Sequence, residues 1–260
     1  MNSATADTTH REGRPQPPKD WLPGLAQNAK TETRDLNLGA ITLVATSLTI
    51  LMTSLYALRL DNLKAILAYS TIGQLSYMIL GVALLSEAGR TGGVLHLVGH
   101  AFAKITLFFA VGSIYLASHR TAVSQLRGIG RRMPWTMGAL AIGALSIVGL
   151  PPTVGFISKY FLFLGAVEAG QWLVLVVLGV STVLSAGYYL RVIRMALLEA
   201  PAPVLTGHSA EGAAPIRERS ITESPALVVV PLMVTAAVTL LLGVAPDVLL
   251  DLVRTAARVP

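Results

Sequence analysis

The chain has 260 residues, of which 53% are hydrophobic and 13% charged, and its mean hydropathy of +0.63 lies well above that of water-soluble domains. It contains no cysteine, which excludes disulfides, thiolate metal sites, iron–sulfur ligation and thiol catalysis. The net charge of +6 does not point to nucleic acid, because the arginines cluster beside apolar runs, where the positive-inside rule accounts for them.

Residues 1–35 are polar, rich in Pro, Thr and charge, and lack the apolar core of a cleavable signal. They read as a disordered lead-in with targeting through the first span, or as an aberrant or truncated start. Charge-poor windows of about 20 residues, the length a bilayer core requires, then mark the membrane helices. The first is 36–58. The second, 65–86, carries Ser70, Gln74 and Tyr77 at helical spacing, a polar face suited to another helix or to internal water. The third, 92–118, holds "LHLVGHAFAKITLFF", and the loop behind it, "SHRTAVSQLRGIGRRMPW", is basic. The segment 133–167 is too long for an ordinary span, has Pro151 and Pro152 in its middle and carries Lys159 in its second half. Spans at 169–190 and 224–246 complete the set, on either side of a polar loop at 199–223.

Charge asymmetry decides whether the proline pair reverses the chain. With 133–167 as one broken crossing, Arg59, Arg120, Arg127, Arg131, Arg132, Arg191, Arg194, Arg217 and Arg219 share one side, and Arg90, Arg254 and Arg258 lie opposite. A full hairpin would move the last four of the first group across and nearly abolish the asymmetry. The chain is therefore predicted to be an all-α polytopic membrane protein with about six transmembrane crossings, the fourth a discontinuous helix broken at Pro151-Pro152. Both chain ends fall on the less basic, outer side. The membrane domain runs over 36–198, and 224–260 forms a closing helix and a tail. A broken membrane helix exposes backbone groups that lipid cannot satisfy, so it is expected to be buried in protein or to line a hydrated cavity.

His96, His100 and Lys104 follow one another at intervals of four residues, which places them on one helical stripe about 12 Å long. Such a stripe must face protein or water, since a lysine facing lipid at mid-bilayer costs several kcal/mol. Histidines and a desolvated lysine bridged by water supply successive proton acceptors. A structural reading, in which the histidines only hydrogen-bond across helices, leaves Lys104 without a reason. The H-x-x-x-H spacing can bind zinc, but no third ligand stands nearby, so neither a metal nor a cofactor is expected. No nucleophile with an acidic partner accompanies the histidines, which removes hydrolytic catalysis. Lys159, after the break, is a second candidate on an ion pathway. Lys64, at the edge of the second span, suits snorkelling at least as well as a buried role. "GIGRRM" follows no strand and lacks the third glycine of a nucleotide fingerprint, and no P-loop is present, so the energy source is an ion gradient or another subunit.

Four stretches, "NLKAILAYSTIGQLSYMILG", "HLVGHAFAKITLFFAVGSIY", "GIGRRMPWTMGALAIGALSIVGLPPTVGFISKYFLF" and "SAGYYLRVIRM", resemble the proton-conducting antiporter-like family of membrane subunits. That family spans the large membrane subunits of respiratory complex I, membrane hydrogenases and Mrp-type cation/proton antiporters. The basic loop and "MPWT" look most like the D subunit of the Mrp type. The resemblance implies that Lys104 is the central proton-carrying lysine, that His96 and His100 lie along its hydrated axis, that Lys64 connects toward the other half, and that Lys159 ends the outward half-channel. It implies that residues 38–198 correspond to the second of two inverted repeats, with the first repeat and its inward half-channel expected from elsewhere. The long lateral helix of the largest complex I subunit is not among the segments that match. The expected function is a proton half-channel in a multisubunit Na+/proton antiporter of a bacterial plasma membrane, working with other membrane subunits. The alternatives are a proton-pumping subunit of NADH:quinone oxidoreductase or a membrane hydrogenase, and a non-conducting structural subunit or truncated fragment.

Overall fold

The computed structural model describes residues 38–199 and 222–257. The predicted lead-in at 1–35 and nearly all of the predicted loop at 199–223 lie outside the described residues. Among the described residues eight α-helices follow one another: α1 (Leu38–Arg59), α2 (Leu63–Ala83), α3 (Glu87–Ser118), α4 (Pro134–Val148), α5 (Val154–Glu168), α6 (Trp172–Ile193), α7 (Ala226–Val244) and α8 (Asp247–Ala257). Among the described residues there is no strand, only an isolated bridge between Asn62 and Ala122. The compact unit begins at Thr42, and Leu38–Ile41 are the opening turn of α1.

Local chemistry sets the helix ends. Asn62 caps α2, its side-chain oxygen accepting from the amides of Lys64 and Ala65 at 2.9 and 3.2 Å. Ser86 does the same for α3 through the Gly89 amide, with Glu87 in the first turn where the helix dipole favours an acid. The cap starts α3 earlier than the charge-free window suggested, because Glu87 and Arg90 belong to the helix end rather than to a loop. Pro134 opens α4 at the position that tolerates a missing amide. Gly149, at φ 89°, closes α4 in the left-handed conformation that a side chain would strain.

Among the described residues five helices are long and apolar enough to cross a membrane: α1, α2, α3, α6 extended through Leu198, and α7. The shorter α4 and α5 make one further crossing together, and their packing against α3 shows how. Thr136 of α4 meets Ser113 at 3.0 Å, Gly143 lies against Ala103 and Leu107, Gly99 faces Val154 of α5, Gly92 faces Phe161 and Leu162, and Ser86 donates to the Gly165 carbonyl. As the chain advances from 136 to 165, its partner on α3 falls steadily from 113 to 86. A hairpin at the prolines would reverse that order. α4 and α5 are thus two segments of one crossing antiparallel to α3.

The helix ends divide accordingly. At one end, Arg191 pairs with Asp61 at 2.9 Å, and Asp61 also accepts from the Ser124 amide and hydroxyl, tying the α1–α2 loop, the basic α3–α4 loop and the end of α6 together. At the other end, Glu168 accepts from the Ala88 amide. The outward faces of the helices are apolar: Leu48, Met52 and Leu55 on α1 and Val176, Val180 and Val183 on α6 are all exposed, the surface of a chain dissolved in lipid rather than water. One element differs from expectation. The tail predicted after residue 246 contains the helix α8, which places Leu249 and Val253 against Leu95 and Val154. Its two aspartates, Asp247 and Asp251, broke the apolar window, while its apolar residues sit on one face.

The chain's lack of cysteine makes the topology directly readable. Single cysteines at Arg132 and Gln171, both exposed loop positions, are expected to react with a membrane-impermeant maleimide from opposite sides of sealed vesicles. Labelling of both from one side would mean that α4 and α5 form a hairpin.

Candidate functional site

α3 is the helix against which α2, α4, α5, α7 and α8 all pack, so the stripe it carries is enclosed. His96, His100 and Lys104 are 2%, 8% and 6% exposed, and Lys159 of α5 is 4% exposed. Four basic side chains are thus buried in one bundle.

Lys104 is held by neutral dipoles. Its ammonium donates to the Leu67 carbonyl at 2.9 Å, to Ser70 Oγ at 3.0 Å and to Tyr189 OH at 3.4 Å, and Ser70 and Tyr189 share a further contact of 2.9 Å. The Leu67 carbonyl also accepts from the Thr71 hydroxyl one turn along, so it is shared between that hydroxyl and the lysine. Among the described residues no carboxylate pairs with Lys104 or Lys159.

Lys159 reaches back across the helix break. In a continuous helix the carbonyl of Val148 would accept from the amide of residue 152, but residue 152 is a proline and has none. The Lys159 ammonium donates to that carbonyl at 2.9 Å and to Thr182 Oγ1 at 3.4 Å. It also sits 5.3 Å from the centre of the Tyr77 ring, within cation–π range. The position is favourable twice over, because the C-terminal end of α4 carries the negative end of its dipole.

His96 is fixed at both ring nitrogens: Nε2 lies 2.9 Å from Gln74 Oε1 and Nδ1 2.9 Å from Ser158 Oγ. Its ring is 5.4 Å from that of Tyr77 and 6.1 Å from that of His100. Tyr77 in turn hydrogen-bonds Ser181. His100 is the loosest member, its Nδ1 being buried without a hydrogen-bond partner among the described residues, as is Ser146 Oγ on α4.

The structure brings most of the predicted residues together. Ser70, Gln74 and Tyr77, the polar face of α2, contact Lys104, His96 and the neighbourhood of Lys159 respectively, so that one face serves the whole row. Pro151 and Pro152 form the break and are joined by a cis bond. Lys64 stands apart: it is exposed at the start of α2, its ammonium 4.6 Å from the centre of the Tyr115 ring. The sequence reading did not single out Tyr189, Ser158 or Thr182. Two lie in or beside a marked feature, Tyr189 in "SAGYYLRVIRM" and Ser158 next to Lys159, whereas Thr182 offered only a hydroxyl within an apolar helix. Among the described residues no three His, Asp or Glu side chains gather where they could hold a metal ion.

An all-helical, multi-pass membrane bundle enclosing a row of basic side chains at a broken helix defines the class. Residues 32–185 match the family described as NADH:quinone oxidoreductase/Mrp antiporter, transmembrane, and the chain belongs to that family. It is 41% identical over 196 residues, 75% of its length, to NADH-quinone oxidoreductase subunit N of Desulforudis audaxviator, and spans 38% of that protein. Among solved structures it is similar to a chain of the Mrp complex from Dietzia sp., with a TM-score of 0.77 and 27% identity over 86% of this chain and 47% of that one. It is also similar to a chain of respiratory complex I from Thermus thermophilus, with a TM-score of 0.61 and 27% identity over 82% of this chain and 45% of that one. The chain therefore spans less than half the length of each of these relatives. The finer resemblance to the Mrp D subunit is not the one the sequence relatives favour.

The break depends on a close approach that a single methyl would block. A side chain at Gly155 would meet the Ser146 carbonyl. Gly155→Ala is expected to destabilise the bundle by about 1–3 kcal/mol, read as a lower thermal midpoint in detergent. Gly138→Ala, at a position with nothing within 4 Å, is the control and is expected to be neutral or slightly stabilising.

Proposed function

We propose that this chain is a proton-conducting part of an antiporter-like subunit in a respiratory membrane complex of the NADH:quinone oxidoreductase type. The proton pathway runs through Lys104, His100, His96 and Lys159. The observation that carries this reading is the row of four buried basic side chains, held by carbonyls and hydroxyls and lying along a helix whose neighbour is broken at the same depth. Burying one such group for packing alone costs several kcal/mol, and four in register have no packing purpose. At a ring separation of 6.1 Å, transfer between His96 and His100 passes through water rather than directly. The partners are the other membrane subunits of the complex, and the membrane is the bacterial inner membrane, in keeping with bacterial relatives named NADH-quinone oxidoreductase subunit N.

A second reading, a subunit of an Mrp-type cation/proton antiporter, is favoured by the TM-score of 0.77 to a chain of the Dietzia Mrp complex. Co-purification distinguishes the two: flavin and iron–sulfur proteins accompany the first, and cation antiporter components without them the second.

Lys104→Ala and Lys159→Ala, each scored only in complexes that assemble normally, are expected to reduce proton-coupled transport to the background of protein-free vesicles. Wild-type transport in an assembled Lys104→Ala complex would remove the pathway.

A further inference from the structure

The hydrogen bonds around His96 contain more acceptors than a neutral imidazole can serve, and the number of available protons decides which ring nitrogen titrates. Gln74 presents Oε1 to Nε2 at 2.9 Å. With the amide in this orientation its oxygen only accepts, so Nε2 is the nitrogen that carries the hydrogen of the neutral ring. Ser158 Oγ lies 2.9 Å from Nδ1 and donates to the Gly155 carbonyl at 3.0 Å. A hydroxyl has one proton to give. When His96 is neutral, Nδ1 is a bare acceptor, and the Ser158 hydroxyl must turn to it and leave Gly155. When Nδ1 is protonated, it donates to Ser158 Oγ, and the hydroxyl proton is released to the Gly155 carbonyl.

We infer that Gln74 fixes His96 as its Nε2–H tautomer, so that protons enter and leave only at Nδ1, and that Ser158 is a positioning residue whose hydroxyl turns between Nδ1 and the Gly155 carbonyl as they do. The inference deepens the proposed function and rests on reading His96 as a pathway residue. Its consequence is directional. Nδ1 faces α5, the helix of Lys159, while Nε2 faces α2. The Gly155 carbonyl is also the acceptor that helical geometry assigns to the backbone amide of Lys159, four residues on. The proton on His96 therefore changes the hydrogen-bond load on the turn of α5 that carries Lys159.

The ionisable groups around His96 are few. Tyr77 faces it from α2, His100 lies one turn along α3, and Lys159 is on α5. α4 and α7 contribute no titratable side chain within their helices, and Asp247 and Asp251 of α8 are exposed. No carboxylate pairs with His96 among the described residues, which leaves Ser158 as the group that accepts from a protonated Nδ1. Ser158 is fully buried and adjoins Lys159 in sequence.

Solid-state NMR of the full chain in lipid, labelled with 15N-histidine, tests this first in the wild type and then in variants of the partners of His96. The His96 signals are assigned by their loss in His96→Gln. At alkaline pH the wild type is expected to show Nδ1 as an unprotonated, hydrogen-bonded nitrogen and Nε2 as N–H, with the alternative tautomer disfavoured by about tenfold or more. Ser158→Ala should move the Nδ1 shift to that of a nitrogen without a donor and leave Nε2 protonated, and Ser158→Thr should restore it. Gln74→Leu should mix the tautomers. A neutral His96 carrying its proton on Nδ1, or an Nδ1 shift that ignores Ser158→Ala, overturns the inference. The underlying pathway reading is tested apart, by transport in assembled His96→Gln. An unprotonated Nδ1 together with unchanged transport in that variant upholds the tautomer assignment and removes the pathway.

Discussion

The constraint on which the bundle depends is the missing amide of Pro152. A membrane interior has no water to satisfy the carbonyl that this amide would have met. The Val148 carbonyl is instead taken by the Lys159 ammonium, and one residue answers two problems: the orphaned acceptor and the buried charge. The surroundings follow from that exchange. α3 extends from Glu87 to Ser118 because both halves of the broken crossing must lie against a continuous wall. Gly99 and Gly143 let Val154 and Leu107 approach on either side of the break. The end of α7 covers the break from another side, with Gly243 set against Pro152 and Thr153.

Lys104 shows the same logic without a break. Its three donors meet a carbonyl and two hydroxyls, so the ammonium is solvated by dipoles that the fold has already positioned. A buried ion pair would be a poorer relay. Removing a proton from a paired lysine strands a carboxylate in a low-dielectric interior, and that costs several kcal/mol. Carbonyl and hydroxyl partners leave no such residue behind, since the hydroxyls of Ser70 and Tyr189 can turn to donate once the amine is neutral.

Much of this was legible in the sequence because the membrane imposes simple rules. The crossings came from charge-free length, and the single passage through Pro151-Pro152 came from arginine placement alone, which the ordered contacts of α4 and α5 with α3 bear out. The row on α3 followed from spacing by four, and the face of α2 from the same period. What the sequence withheld depends on the third dimension. Tyr189 is one of two adjacent tyrosines, and only packing decides that its hydroxyl meets Ser70 and Lys104 while Tyr188 reaches toward Ser185. α8 was hidden because a hydropathy window averages Asp247 and Asp251 with the apolar residues on the opposite face of the same helix.

Family membership spans two kinds of complex, and the proton pathway proposed along the buried row is compatible with either. Lysines and histidines carry protons by changing charge, whereas a monovalent metal cation would need oxygen donors and the absence of like charge along its route. A sodium ion approaching Lys104 or Lys159 in their charged forms meets repulsion in a medium that screens it poorly. The row therefore suits protons in either setting. Under the proposed function, what separates a redox-driven complex from a cation antiporter belongs to what these helices assemble with, and the shared element is a row of buried basic groups held by the Val148 carbonyl, Ser158, Gln74 and Tyr189.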